Sequence, residues 1–295
     1  SLIRARARAG IALAVLAALA CRARPTPDDR SAEDRVRLLA DTAFPATPFG
    51  VSARRGLALM AHTPDSLPAY AHSALRCMSC HLDDGSRAHG LMLLGVAARY
   101  PQYRSRSGHL DLLSDRINDC FKRSLAGAPL PVESAEMRDI VAYLTWISRG
   151  VGILDSLPGQ GLVKLPSLPA DTARGAAVFA TACARCHGAG GAGGEFTRPV
   201  PPLWGDRSFS IGAGMARART LAAFVRENMP FDKPGTLTDQ QAIDVAAFVA
   251  ARPRPDLAGK EADWPNGDPP ADVAYPTTAA AKKAAAIRTT PTGAH

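Results

Sequence analysis

Cys77-Met78-Ser79-Cys80-His81 and Cys183-Ala184-Arg185-Cys186-His187 decide how this chain is to be read. Each is a Cys-x-x-Cys-His motif, the attachment signature of a c-type haem. The spacing puts two thiols within one helical turn, where both can reach the vinyl groups of a porphyrin. The adjacent histidine then supplies the proximal iron ligand. A redox dithiol or half of a zinc site would explain two cysteines. It would not explain a histidine directly after the second one, twice.

Around these motifs the sequence predicts an all-α protein of two cytochrome c-like haem domains joined by a linker that contains Pro and Gly. The first domain spans 46–150, the linker 151–170 and the second domain 171–275. In the first domain, Ser52 to His62, Leu110 to Leu125 and Ala135 to Arg149 have helical character, with Ile140, Val141, Leu144 and Ile147 at helical spacing. In the second, Asp171 is placed to cap a helix over Ala173 to Cys183. Thr238 with Gln241 three residues on makes a capping box for a helix that stops before Pro253. Only 6% of the 295 residues are aromatic and much of the 46% hydrophobic content is alanine. Domains this small bury little apolar surface unless a large cofactor joins the core.

The ends read differently. Residues 1–20 form a signal peptide, with Arg4, Arg6 and Arg8 before an apolar run from Ile11 to Ala20 that is too short to span a bilayer. Ala18-Leu19-Ala20 before Cys21 fits signal cleavage and also resembles an imperfect lipobox, which would make Cys21 an acylated membrane anchor. The expected location is the periplasm, free or anchored as a lipoprotein. Residues 21–45 read as a polar tether and 276–295 as a disordered tail. The formal charge of +8 includes the leader arginines, so a nucleic-acid partner is not expected. Mild positive charge around an anion cleft fits better.

The second axial ligands set the chemistry. In the second domain Met229, followed by Pro230 in the turn before the last helix, is preferred to Met215 in a glycine-rich loop. A thioether raises the potential, as a haem that passes electrons outward requires. In the first domain the sulfur candidates are Met92, Met137 and Cys120. Cys120 is favoured because Arg116 stands four residues before it on a helical face, with Arg106, Lys122 and Arg123 nearby. Cationic neighbours and a metal both favour thiolate. Of the remaining histidines, His109 is the one near enough to Arg106 to line a pocket. Trp146 and Trp204 are expected to pack against porphyrin or core.

Several stretches resemble the dihaem thiosulfate dehydrogenases: Tyr100-Pro101-Gln102-Tyr103-Arg104-Ser105-Arg106, Asp115-Arg116-Ile117-Asn118-Asp119-Cys120, Val141-Ala142-Tyr143-Leu144-Thr145-Trp146, Pro201-Pro202-Leu203-Trp204-Gly205, Gly212-Ala213-Gly214-Met215 and Asn228-Met229-Pro230. The resemblance implies oxidation of two thiosulfates to tetrathionate, with electrons passing to a cytochrome-type acceptor. It also implies two covalently bound haem c irons. The catalytic haem would be ligated by His81 and Cys120, with Arg106 and Arg116 beside the substrate, and the electron-transfer haem by His187 and Met229. Some members have lysine just before that methionine, where this chain has Asn228. The rival readings are a non-catalytic dihaem electron carrier and a tetrathionate reductase.

Overall fold

The computed structural model describes residues 31–289. The leader, Cys21 and His295 lie outside them. The chain divides into two compact units, residues 1–35 and 36–295. In the first, Ser31 Oγ accepts from the Asp34 amide. Both haem motifs lie in the second. Among the described residues helices dominate, no helix is long and apolar enough to cross a membrane, and the sheets are two short antiparallel hairpins.

In order, the main elements are α1 (Ala32–Ala40), α2 (Pro48–Ala61), the hairpin β1 (Gln102–Arg104) and β2 (His109–Asp111), α3 (Leu113–Asp119), α4 (Ala135–Trp146), α5 (Thr172–Val178), the hairpin β3 (Gly194–Glu195) and β4 (Pro199–Val200), α6 (Ala218–Asn228), α7 (Asp239–Ala250) and α8 (Thr278–Thr289). The caps explain the boundaries. Thr47 accepts from the Gly50 amide and Pro48 occupies the first turn of α2. Ser134 caps α4 through the Met137 amide, and Asp171 caps α5 through the Ala173 and Arg174 amides. Thr238 and Gln241 form a reciprocal capping box on α7.

The two modules share one internal joint. In the first, α2 crosses α4 so closely that a Cβ on Gly56 would lie 2.0 Å from the Asp139 carbonyl oxygen. In the second, α5 crosses α7 and a Cβ on Gly175 would lie 2.0 Å from the Asp244 carbonyl oxygen. Only glycine permits either approach. The residue before each glycine closes the joint with an ion pair: Arg55 Nε to Asp139 Oδ2 at 2.7 Å and Arg174 Nε to Asp244 Oδ2 at 2.7 Å. Tyr143 and Phe248 occupy matching places beside the glycines.

Three stretches differ from what the sequence pattern predicts. Leu110 to Leu125 is not one helix. Asp115 Oδ2 accepts from the Leu112 amide and starts α3 there, while the residues before it pair as β2 with β1. Beyond Asp119 the backbone widens into a π-turn, Cys120–Ser124, a deviation often found at functional sites. The polar tether of 21–45 gives way to α1, and Leu39 and Phe44 are buried. Phe44 packs 6.2 Å from Tyr143 and 5.8 Å from Trp146, ring centre to ring centre, so its apolar area outweighs the polarity of its neighbours. The tail expected to be disordered carries α8. Its alanine-rich sequence is marginal as an isolated helix, but Tyr275 and Thr277 just ahead of it are buried and fix its start.

The modules are sewn together by several polar contacts. The Ala74 amide donates to the Arg207 carbonyl at 2.8 Å, and Asn228 Nδ2 donates to the His89 carbonyl at 2.9 Å. Arg123 makes a bidentate pair with Asp263, both contacts 2.7 Å, whose Oδ2 also accepts from Tyr275 at 2.6 Å. Asp263 thus belongs to a strap, residues 256–277, that the second module lays beside the first.

Candidate haem sites and the thiolate pocket

In the second module a π-turn, Phe179–Cys183, and a single helical turn, Ala184–His187, bring Cys183, Cys186 and His187 to one wall of a cavity of about 410 Å³. Its other walls include Phe179, Leu221, Phe224 and Val249. Phe179 itself is wedged against Trp204, ring centres 5.0 Å apart. Met215 and Met229 both line the same cavity. His187 Nδ1 lies 3.0 Å from the Pro201 carbonyl oxygen. A carbonyl only accepts, so Nδ1 carries the proton and Nε2 is left with a free lone pair. Burial lowers the pKa of His187, which keeps the ring neutral, and raises the Cys183 thiol to about 11. A neutral imidazole and an apolar wall beside the two motif cysteines suit a c-type haem.

Part of that wall belongs to the first module: Met78 and Ser79, the two residues between the cysteines of the first motif, also line the cavity.

The first motif repeats the donor set. His81 Nδ1 donates to the Leu91 carbonyl at 2.6 Å, which again frees Nε2. Burial raises the Cys77 and Cys80 thiols to about 12. Of the three sulfur candidates, Met137 is sealed in the core, whereas the Cys120 sulfur lies within electrostatic reach of His81. Arg116, one turn earlier, donates Nη1 to the same sulfur at 3.2 Å. Burial alone would push the Cys120 thiol up. The Arg116 charge and the His81 contact overcome that and bring it to about 7. The thiolate in turn raises the Arg116 pKa.

Arg106 does not join this pair. Its Nη1 donates to the Gly212 carbonyl at 2.8 Å, and its guanidinium carbon lies 4.7 Å from the centre of the Trp264 ring, within cation–π range. Arg123 is spent on Asp263 rather than on Cys120. His109 is exposed and sits 3.2 Å from Asp111, so it lines no pocket with Arg106. Trp264, which packs on Arg106, escapes a reading of the sequence. Trp264 is 158 positions along the chain from its arginine, and no local pattern ties the two.

Family models match both modules: "SoxA/TsdA, cytochrome c domain" over residues 69–153 and "Cytochrome C oxidase, cbb3-type, subunit III" over 170–249. A thiosulfate dehydrogenase of Psychrobacter arcticus is 40% identical over 83% of this chain and 76% of its own length. That of Allochromatium vinosum is 38% identical over 72% and 82%. The solved thiosulfate dehydrogenase (TsdBA) of Marichromatium purpuratum is 34% identical and superposes with a TM-score of 0.70. That match covers 74% of this chain and about half, 49%, of the other. With its two haem motifs and matching modules, the chain is a member of the thiosulfate dehydrogenase family, a cytochrome that carries two covalently bound c-type haems.

Proposed function

We propose that the chain couples two thiosulfate dianions into tetrathionate at the first module and passes the electrons through the second to a separate cytochrome. One S–S bond forms and two electrons leave, one for each haem. The four relatives that share most of the chain are all named thiosulfate dehydrogenase. The observation that carries the siting is the Cys120 sulfur, held by Arg116 at 3.2 Å.

Cys77 and Cys80 would hold the first haem covalently and Cys183 and Cys186 the second. His81 and Cys120 would ligate the first iron, His187 and Met229 the second. When bound, each haem accepts and releases one electron. Thiolate ligation by Cys120 would lower the potential of the first haem relative to one ligated by Met229, which would favour electron flow from module one to module two. Arg116 offers a fork of donors matched to a sulfonate, and its charge favours the thiolate form of Cys120. Arg106, the other arginine that the family resemblance puts beside the substrate, would supply a second cation. The leader and Cys21 support export to the periplasm, with Cys21 as the residue a lipid anchor would use.

Turnover of thiosulfate with an artificial one-electron acceptor tests the reading, with tetrathionate measured as product in half-molar yield. A holoprotein that reduces no acceptor with thiosulfate would overturn it, and leave the chain an electron carrier.

A further inference from the structure

Residues 83–91 leave the first haem motif and return to it, because His81 Nδ1 donates to the Leu91 carbonyl at 2.6 Å. Asp83, Asp84, His89 and Leu91 all hold left-handed backbones, with φ of 51°, 54°, 55° and 51°. Residues other than glycine use that region sparingly, and such a run persists only where its surroundings fix it. Tyr143 Oη donates to the Asp84 carbonyl at 2.5 Å. The His89 amide donates to the Gly159 carbonyl of the linker at 2.8 Å. Those anchors come from the first module and the linker.

The other anchors come from the second module, and they flank Met229. Asn228, just before it, donates Nδ2 to the His89 carbonyl at 2.9 Å. Phe231, two residues after it, lies under Arg87, whose guanidinium carbon is 4.5 Å from the ring centre. Arg87 is itself held by Asp83, Nε to Oδ2 at 2.7 Å. Gly90 fits between these contacts. A Cβ on it would lie 3.0 Å from the Arg87 Cβ and 3.2 Å from Asn228 Oδ1. Asn228 is 1% exposed, and among the described residues nothing donates to its Oδ1. A buried amide left half-satisfied is unfavourable beside an apolar side chain of the same shape. What the amide supplies here is the bond to His89, which leaves its own module.

We propose that residues 83–91 are one brace for both haem sites, and that Asn228 is the positioning residue that joins the Met229 segment to the loop whose Leu91 carbonyl orients His81. The inference rests on His81 and Met229 as iron ligands, part of the reading above. A carbonyl that accepts from a ligating imidazole sets the orientation of the ring and its strength as a ligand. A change at residue 228 therefore reaches the first haem, and a change at residue 90 reaches the second.

Potentiometric titration of the holoprotein, followed by absorbance, tests the brace without substrate. Met229→Ala identifies the component that belongs to the second haem. Asn228→Ala should change the reduction equilibrium of the first haem threefold or more, about 28 mV for one electron. Asn228→Gln, which keeps an amide donor, should restore part of that shift. Gly90→Ala, across the module boundary, should move the second haem by a similar factor, as should Arg87→Ala if Gly90→Ala does not fold. Val225→Ala, which lines the second cavity, should move the second haem alone. Intact mass checks that each variant keeps both haems. The proposal is overturned if Asn228→Ala and Gly90→Ala (or Arg87→Ala in its place) each move only the haem of their own module. It is also overturned if Val225→Ala moves the first haem as far as Asn228→Ala does. A Met229→Ala protein with both components unchanged would fault the ligand assignment instead. The brace would then still be judged by whether the variants at 228 and 90 each move both components or one.

Discussion

Arg116 stands one helical turn before Cys120 and donates to its sulfur at 3.2 Å, so the cation that would hold substrate is the one that holds the thiolate. Replacing either should therefore disturb both functions. Cys120→Gly should abolish thiosulfate oxidation while both haems stay attached, as intact mass would show. Arg116→Ala should lower kcat/KM by about one to two factors of ten, since a charge-assisted hydrogen bond contributes about 1.5–3 kcal/mol. Arg106→Ala should act mainly on KM, because its contacts lie away from the sulfur. Unchanged kinetics in all three would remove the site from this pocket.

Met229 and Met215 share one cavity with His187, and a redox titration tells them apart. Met229→Ala should lower the potential of the higher-potential haem, because a thioether ligand raises it. Met215→Ala should change it little. The reverse pattern would assign Met215 as the ligand.

Gly56 and Gly175 should both resist replacement. Alanine at either position would drive a methyl into a backbone carbonyl, so each pair of crossing helices must part. A loss of about 1–3 kcal/mol in denaturant unfolding of the holoprotein is expected for each. Gly190→Ala, where a Cβ would meet nothing within 4 Å, is the control. Equal midpoints for Gly56→Ala and the control would show that the joint is looser than described.

The ion pairs of that joint give a pH dependence with a definite sign. Hydrogen bonding from Arg174 holds the Asp244 carboxyl below its usual range, and the Arg55 and Ser52 hydrogen bonds do the same for Asp139 against the opposing effect of burial. A carboxyl whose pKa is lower folded than unfolded stabilises the fold above the unfolded value and loses that effect as pH falls through the folded one. Stability should therefore drop below about pH 4. Asp244→Asn should be less stable than the parent at pH 7 and flatter between about pH 4 and 2. A parallel fall in both proteins would rule the pair out as the cause.

What the sequence makes legible is what local chemistry controls. The haem motifs, the Asp171 cap and the Thr238–Gln241 box are set by neighbours within four residues, and the two caps lie where their patterns predict. The cationic surroundings of Cys120 are legible for the same reason, because Arg116 is one turn away. Arg106 is not. Its partners, Gly212 and Trp264, are supplied by the other module, and only folding brings them near. The same holds for Arg123, whose local company suggests a thiolate neighbour while Asp263 claims it from 140 positions away. Leu110 to Leu125 misleads because an apolar helical pattern survives a hairpin, a cap and a π-turn laid end to end.

Met78 and Ser79 of the first motif stand in the wall of the second haem's cavity. That shared wall makes the surroundings of the second haem depend on the first module, so a substitution at Met78 or Ser79 reaches both haem sites at once.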